Sequence, residues 1–453
     1  MNNKINRRDF LKVAGAGTLA AGSAILPGCA SGSGKAEASS NGGMEYRTNP
    51  KDGNKISLLG YGCMRWPMIK NAEGKDIIDQ ETVNELVDHA LANGVNYFDT
   101  SPAYLQGQSE SAAGNALSRH PRESYYIATK LSNFGDYSRE ASMKMYYDSL
   151  DQLKTEYFDY YLLHSIGGGS GFQLFEERYI NNGMMDFMLK EREAGRIRNL
   201  GFSFHGRKEA FDQFLELHDK YHWDFVQIEM NYLDWEHAKV PRNVNADYLY
   251  EELDKREIPI VIMEPLLGGR LANLPGNLNE RLKEREPEQS VASWAFRFAG
   301  SYPRILTVLS GMSRMEHLED NIKTYSNFKP LTEEEISFLT SIADIMSDYP
   351  AVSCTDCRYC LPCPYGINIP AIFKHYNSFV NEGEIAQSAE QADFKRLKRS
   401  YLVTYDRAIE TARQADHCIG CKQCEEHCPQ SIEIPHELHR IAAYVEKLRR
   451  GTL

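Results

Sequence analysis

Eight of the ten cysteines lie beyond residue 350, and their spacing is typical of iron–sulfur ligands. In each of two runs, three cysteines follow one another with two residues between them, so that three thiolates can bind one cube of iron and sulfur. A fourth cysteine, followed by proline, closes each run. Zinc sites usually group their ligands as two pairs separated by a longer loop, so this spacing disfavours zinc. We therefore predict two 4Fe–4S clusters, with the ligands Cys354, Cys357, Cys360, Cys363, Cys418, Cys421, Cys424 and Cys428.

A second set of reactive side chains follows predicted strands earlier in the chain. Asp99, Lys130 and His164 each end such a strand, and Tyr104 lies five residues beyond the first of them. A phenol with a pKa of about 10 is too weak an acid to protonate a carbonyl near neutrality unless its anion is stabilised. We expect the Lys130 ammonium to favour the phenolate of Tyr104. Asp99 would hold that ammonium in place, and His164 would hydrogen-bond the substrate oxygen. Each residue alone could have a structural role, but together they predict a catalytic site.

These side chains can meet only in a fold that gathers strand ends. From residue 44 to 328 the chain alternates short apolar runs with amphipathic stretches of helix length, which indicates βα units and a parallel sheet. Eight such repeats predict an α/β fold, the (β/α)8 TIM barrel, in which the carboxyl ends of the strands converge on one mouth. An Asp52–Gly53 turn within residues 46–55 predicts a β-hairpin that closes the other end. The predicted strands lie near residues 58–62, 95–98, 125–128, 158–163, 197–202, 225–228, 258–263 and 305–309.

The domain organisation follows from these patterns. We predict the barrel over residues 44–328, a connecting helix over 329–349 and a mainly α-helical domain with both clusters over 350–453. With 42% hydrophobic and 25% charged residues, the chain has the composition of a folded protein and not of a disordered one. Its formal net charge of −12 argues against a nucleic-acid partner.

The segments around the strand ends resemble the aldo/keto reductase family. Phe98–Tyr104, Ala128–Lys130 and Asp159–His164 are similar in order and spacing to the catalytic tetrad of that family. The resemblance implies a hydride-transfer oxidoreductase that acts on a carbonyl or an alcohol, such as a sugar, with Tyr104 as general acid and base. It also implies a nicotinamide cofactor across the barrel mouth.

The resemblance further implies cofactor-binding residues, although two positions differ from the family pattern. Phe204 stands where the family has an amide side chain, and Met263 stands where it usually has a tyrosine against the nicotinamide ring. The basic residues that bind a 2′-phosphate in NADP-specific members have no match except Arg314, so a preference for NADP is not supported. The implied cofactor contacts are Met64, Ser203, Gln227, Gly311, Ser313, Arg314 and Asn321.

The cysteine-rich region resembles α-helical ferredoxin domains, because a long stretch of helix-forming residues separates its two runs. In this resemblance the last cysteine of each run binds the cluster of the other run. The first run is one residue shorter before its last cysteine, which leaves the partner of Cys363 open. The implied ligand sets are Cys354, Cys357, Cys360 and Cys428 for one cluster and Cys418, Cys421, Cys424 and Cys363 for the other.

The N-terminal residues resemble an export signal. Arg7 and Arg8, followed by Phe-Leu-Lys and a small, apolar stretch, are similar to a twin-arginine signal over residues 1–28, with a cytosolic basic leader as the alternative. Cys29 follows a sequence that resembles a lipobox and predicts lipidation, unless it is only a small residue near a cleavage site. Residues 29–43 fit a flexible linker. We therefore expect an exported protein, either periplasmic or a lipoprotein anchored to the membrane.

Three hypotheses for the function remain open at this point, the third of which makes the clusters purely structural staples without a role in turnover. In the first, the barrel is an oxidoreductase for a small-molecule carbonyl or alcohol, and the clusters exchange electrons with a separate redox partner. In the second, the clusters are the core of an electron-carrier subunit, and the barrel is a docking module without turnover.

Overall fold

The structure, a computed structural model, describes residues 43–238 and 243–453. Eight parallel strands form a closed barrel, which confirms the predicted TIM barrel, and each predicted strand is found with ends shifted by no more than three residues. The strands are β1 (Tyr46–Thr48), β2 (Lys55–Ser57), β3 (Leu59–Gly62), β4 (Met68–Lys70), β5 (Asp76–Ile78), β6 (Tyr97–Asp99), β7 (Tyr126–Leu131), β8 (Phe158–Ile166), β9 (Ile197–Phe204), β10 (Phe225–Glu229), β11 (Ile260–Met263) and β12 (Ile305–Ser310).

The barrel consists of β3 and then β6 to β12 in chain order, and β12 pairs with β3 to close it. Each strand is joined to the next by a connection that contains helix, as parallel pairing requires. The described α-helices are α1 (Gln80–Ala92), α2 (Ser109–Leu117), α3 (Arg139–Leu153), α4 (Phe172–Phe175), α5 (Met184–Glu193), α6 (Lys208–Glu216), α7 (His218–Tyr221), α8 (Asp234–His237), α9 (Ala246–Lys255), α10 (Leu278–Arg285), α11 (Val291–Gly300), α12 (Met315–Tyr325), α13 (Glu333–Ser347), α14 (Ile369–Asn381), α15 (Phe394–Ala408) and α16 (Ile434–Arg450).

Successive residues of the barrel strands point alternately into the barrel and outward to the helices. Tyr97 of β6 and Tyr160 of β8 belong to the core inside the barrel, whereas their neighbours Phe98 and Tyr161 belong to the larger core under the helices. Both faces of each strand are therefore apolar, which explains why these segments read as continuous buried runs.

The predicted hairpin closes the amino-terminal end of the barrel. β1 and β2 pair antiparallel, with Tyr46 opposite Ser57. In the loop between them, the buried Asn49 side chain donates hydrogen bonds to the Tyr160 hydroxyl over 3.0 Å and to Oδ1 of Asn199 over 3.2 Å. The hairpin therefore covers the end of the barrel opposite the carboxyl ends of its strands.

The second domain is built on three helices. α13 begins with a capping box, in which the Thr332 side chain and Glu335 exchange hydrogen bonds, and it leads out of the barrel. The first cysteine run follows without regular secondary structure. α14, α15 and α16 then pack around a separate hydrophobic core that includes Phe373, Tyr401 and Ile441.

The predicted export signal over residues 1–28 and the predicted lipidation site Cys29 lie outside the described residues. Within the part of the chain that the structure describes, no helix has both the length and the apolar character needed to cross a membrane.

Candidate active site at the barrel mouth

The alternation of the strands carries the catalytic candidates into the barrel. Asp99 stands two residues after the inward Tyr97, and Lys130 stands two residues after the inward Ala128. His164 continues the series of Tyr160 and Leu162 on β8 in the same way. All three side chains are buried at the carboxyl ends of neighbouring strands, where TIM barrels place their chemistry.

Lys130 and Asp99 form a buried ion pair. The ammonium donates to Oδ1 of Asp99 over 2.5 Å and to the carbonyl oxygen of Thr100 over 2.8 Å. The second carboxylate oxygen of Asp99 is buried without a hydrogen-bond partner. Burial raises the pKa of the Asp99 carboxyl, and the charge of Lys130 opposes that rise. Burial likewise lowers the pKa of the Lys130 ammonium, and the charge of Asp99 opposes that fall.

The structure corrects one expectation about Tyr104. The ammonium of Lys130 lies over the Tyr104 ring, 4.9 Å from its centroid. The hydrogen bonds that this ammonium donates go to Asp99 and Thr100 and not to the phenol oxygen. Burial raises the pKa of Tyr104 well above its ordinary value, and Tyr359 and Asp99 add to that rise. Lys130 therefore contacts the ring as a cation over its face, and the phenol stays protonated in this arrangement.

His164 is held by two serine hydroxyls that the sequence did not single out. Oγ of Ser132 lies 2.5 Å from Nδ1 of His164, and Oγ of Ser101 lies 3.2 Å from the same nitrogen. Burial lowers the pKa of His164 well below its ordinary value, with further contributions from Lys130 and Arg178. When a serine hydroxyl donates to Nδ1, the neutral imidazole carries its proton at Nε2, and His164 can then donate to a substrate oxygen.

The four residues line one large cavity of about 910 Å³ between the barrel mouth and the cysteine-rich domain. This volume lies within the range typical of sites for small molecules and cofactors. The cavity also brings in most of the predicted cofactor contacts, but Arg314, which precedes α12, is not among the lining residues. The predicted contacts that do line it are Met64, Ser203, Gln227, Gly311, Ser313 and Asn321.

Gln227 has the free polar atom that a bound amide would need. Its Oε1 is buried without a partner, and its Nε2 has only the weak acceptor Sδ of Met263 at 3.5 Å. Ser203 already accepts a hydrogen bond from the Ser165 amide over 2.8 Å. Phe204, which stands where the family has an amide side chain, belongs to the larger core under the helices and packs on Phe211. This position therefore supplies no amide to the cavity.

The segment after β12 carries the predicted cofactor contacts Gly311, Ser313 and Asn321, and two of these residues already have a role in packing or hydrogen bonding within the barrel. A Cβ on Gly311 would lie 2.6 Å from Cγ of Arg65, so packing of that arginine already requires glycine here. Asn321 donates to Oγ of Ser310 over 2.9 Å. Glu316 and Asp320 also line the cavity in this region, and their carboxylates would disfavour the 2′-phosphate of NADP.

The eight cluster cysteines fall into two groups. Burial raises the pKa of Cys354, Cys357 and Cys360, and in each case the charge of Cys428 adds to the rise. The pKa of Cys418 is raised by burial and then by Cys363. Cys428 thus acts on three thiols of the first run and Cys363 acts on Cys418, while Cys424 of the second run also acts on Cys360, so the two groups are neighbours.

The residue types and grouping of these thiols fit two clusters. Among the described residues, no three His, Cys, Asp or Glu side chains are placed to share a single metal ion. Thiolates are the ligands that iron–sulfur clusters use, and each of them binds a different iron of the cluster. Cys354 and Cys357 also line the large cavity, so the first ligand group faces the catalytic candidates.

Contacts between the two domains were not predicted from the sequence. Arg65 donates to the carbonyl oxygen of Thr355, and to that of Asp356 over 2.8 Å. A Cβ on Gly268 would lie 2.5 Å from Cα of Thr355, and Gly268 has a φ of +66°. The adjacent glycines Gly268 and Gly269 were the available signal, since paired glycines in a strand-end loop indicate close approach of another segment.

Comparison with known proteins gives two matches along the chain. Residues 58–344 match the model of the aldo/keto reductase family. Residues 353–433 match the model of the 4Fe-4S dicluster domain. The first region contains the barrel, and the second contains both cysteine runs, so the chain contains these two domains in this order.

Three similar proteins each match about two thirds of this chain. The uncharacterized oxidoreductase YqkF of Bacillus subtilis is 25% identical, over 63% of this chain and 92% of that protein. L-galactose dehydrogenase of Arabidopsis thaliana is 24% identical, over 66% of this chain and 95% of that protein. A solved aldo-keto reductase of Klebsiella pneumoniae in complex with NADPH shares the fold, with a TM-score of 0.52 and 19% identity, over 66% of this chain and 96% of that chain.

Proposed function

The chain belongs to the aldo/keto reductase family, and from this membership we propose that its barrel interconverts a carbonyl and an alcohol by hydride transfer, coupled to electron transfer through two 4Fe–4S clusters. The observation that carries the proposal is the shared cavity. Tyr104, Lys130 and His164 line it from the barrel, and Cys354 and Cys357 line it from the cluster domain.

The chain's own residues divide the proton chemistry among them. Tyr104, protonated because it is buried, donates its proton to the oxygen of a carbonyl during reduction and takes it back during oxidation. His164 donates a hydrogen bond from Nε2 to the same oxygen as negative charge develops there. Asp99 keeps Lys130 oriented over the Tyr104 ring.

The unpartnered Oε1 of Gln227 supports a nicotinamide, whose carboxamide could donate to it. When bound, a nicotinamide supplies the hydride donor or acceptor, and its oxidised form also brings a positive charge to the site. Each 4Fe–4S cluster stores one electron. Glu316 and Asp320 line the cavity where a 2′-phosphate would need cations, so a preference for NADP has no support here.

For the clusters we propose that Cys428 completes the first ligand set and Cys363 the second. The electrostatic neighbours of these thiols support that partition. Oxidation of an alcohol to a carbonyl releases two electrons and two protons. Two one-electron clusters can together take up the electrons, and a separate redox partner then removes them.

We propose a sugar as the substrate. The cluster domain contributes the polar side chains of Asn381 and Glu382 to the cavity, and an amide and a carboxylate can together hydrogen-bond several hydroxyls. One relative, L-galactose dehydrogenase, is named for a sugar, which agrees with this choice.

The test replaces Tyr104 by phenylalanine in the full chain, purified without oxygen and with its clusters intact. Turnover of sugars and short carbonyl compounds with NAD(H) should fall by about 10²- to 10⁴-fold, because the proton donor is gone. Tyr161→Phe is the matched control, since it removes a buried hydroxyl that has no hydrogen-bond partner. Cluster absorbance and thermal stability should be unchanged in both variants.

Near-normal turnover by Tyr104→Phe would contradict the assignment of the proton donor. If the wild-type protein turns over no carbonyl or alcohol and binds no nicotinamide while its clusters are intact, the electron-carrier hypothesis replaces the enzyme. The outward position of Phe204 and the presence of Met263 are the observations that favour that alternative.

A further inference from the structure

The first cysteine run has a fixed position across the barrel mouth. Arg65 donates to the backbone carbonyls of Thr355 and Asp356, which are separated from it by about two thirds of the chain in sequence. On the other side, the Cα of Thr355 approaches Gly268 so closely that only glycine fits. The cluster domain is therefore held to the barrel at the residues that precede Cys357.

The backbone then turns sharply on both sides of Cys357. Asp356 and Arg358 have left-handed φ values of +53° and +67°, which are costly for residues with a side chain. The residue that follows this turn is Tyr359. Its ring centroid lies 6.3 Å from that of His164, with the rings nearly perpendicular.

A second aromatic residue stands beside this pair. The ring of Phe134, which follows β7, lies 5.0 Å from His164 and 6.1 Å from Tyr359 between ring centroids. Arg178 lies over the outer face of Phe134 at 4.9 Å from its centroid. His164 is thus flanked by two aromatic rings from the barrel, those of Phe134 and Tyr104, and by one ring from the cluster domain.

The ring of Tyr359 is not used for packing inside its own domain. The aromatic residues Tyr376, Tyr401 and Tyr405 belong to the hydrophobic core of the cluster domain, but among the described residues of that core Tyr359 is absent. It lines the large cavity with Tyr104 and His164 instead. An aromatic side chain of the electron-transfer domain therefore faces the reacting end of the barrel.

We propose that Tyr359 is a wall of the substrate site and selects for cyclic sugars over short open-chain carbonyls. An aromatic face packs well against the C–H face of a sugar ring, while a short open chain has no ring face and covers little of the aromatic surface. This inference rests on the proposed function and extends it, because it makes the cluster domain part of the substrate specificity and not only of electron transfer.

The test compares Tyr359→Ala and Tyr359→Phe in the full chain with clusters bound. For a cyclic hexose, Tyr359→Ala should raise KM roughly tenfold, the usual size of a lost aromatic contact, and should change kcat less. For glyceraldehyde, KM should stay within about twofold of the wild-type value. Tyr359→Phe keeps the ring and should behave as wild type.

Tyr365→Ala is the matched control. Tyr365 follows the same cysteine run, but its side chain is exposed and does not line the cavity, so the KM values for both substrates should be unchanged. A merely structural role of Tyr359 would instead lower cluster absorbance or thermal stability and would affect hexose and glyceraldehyde equally.

The outcomes separate this inference from the proposed function. Equal effects of Tyr359→Ala on both substrates, or none, would overturn the inference while wild-type turnover still supports the enzyme. If the wild type shows no turnover at all, the proposed function fails. Calorimetric binding of the hexose then decides the role of Tyr359: a Kd that is roughly tenfold weaker in Tyr359→Ala supports it, and an unchanged Kd or absent binding overturns it.

Discussion

Replacing Lys130 by methionine would leave a buried carboxylate without its partner. In the wild type, the Lys130 ammonium is the hydrogen-bond donor to Oδ1 of Asp99, and Oδ2 has none. The two side chains are only 1% and 3% exposed, so water cannot replace the lost donor. Methionine fills a similar volume, which limits the effect of a cavity and isolates the electrostatic loss.

The magnitude follows from the burial of the pair. Removal of one partner of a buried ion pair costs about 3–5 kcal/mol, because the remaining charge stays desolvated. The free energy of unfolding of the barrel should fall by that amount at pH 7. The double variant Asp99→Leu/Lys130→Met has no buried charge, so it should regain most of the loss.

The pH dependence has a definite sign. Burial already raises the pKa of Asp99, and without the opposing charge of Lys130 the folded-state pKa lies further above the unfolded value of about 3.9. Between these two values the folded variant binds more protons than the unfolded chain, so its stability falls as pH rises. The deficit relative to wild type should therefore be largest at neutral pH and shrink as pH is lowered toward about 4.

Tryptophan fluorescence during urea unfolding provides the assay. All four tryptophans lie in the barrel, so the signal reports this domain and not the cluster domain; they are Trp66, Trp223, Trp235 and Trp294. A loss below about 1 kcal/mol in Lys130→Met at pH 7, or a double variant no more stable than the single one, would refute the reasoning.

Two further predictions concern the cluster domain. Cys428→Ala should lose the cluster of the first run, so iron analysis should find the same iron content in Cys428→Ala, in Cys357→Ala and in the double variant Cys357→Ala/Cys428→Ala. The double variant Cys421→Ala/Cys428→Ala should lose both clusters. If Cys357→Ala and Cys428→Ala instead lose iron additively, the partition is contradicted. Gly268→Val would place Cβ 2.5 Å from Cα of Thr355, so hydrogen exchange of residues 350–360 should become faster while the tryptophan fluorescence of the barrel is unchanged. The control Gly135→Ala places its Cβ in open space and should leave hydrogen exchange of residues 350–360 as in the wild type. Equal protection of these residues in both variants would contradict the interface.

The barrel and its catalytic candidates could be predicted because both depend on local patterns. Apolar runs of strand length alternate with helices, and the period of two along each strand decides which residues point inward. Asp99 and Lys130 extend the inward series of Tyr97 and Ala128 to the strand ends, so their meeting follows from the fold.

The interface between the domains left no such pattern. Arg65 and Thr355 are nearly 300 positions apart in the sequence. The residues around Arg65 form no motif that would indicate its contact with Thr355. The place of Lys130 over the Tyr104 ring was missed for a related reason. Residue types predict that an ammonium and a phenol attract each other, but only the packing of their neighbours decides whether the ammonium faces the oxygen or the ring.

The protonation state of Tyr104 connects the cluster domain with the chemistry of the barrel. Burial is the main cause of the raised pKa of Tyr104, and Tyr359 of the cluster domain lines the same cavity, so the docked domain helps to keep the phenol protonated by covering it. A protonated phenol is ready to serve as the acid in carbonyl reduction. It can serve as the base in alcohol oxidation only when positive charge is brought close to its oxygen, and the Lys130 ammonium, which donates to Asp99 and Thr100, does not supply it in this arrangement.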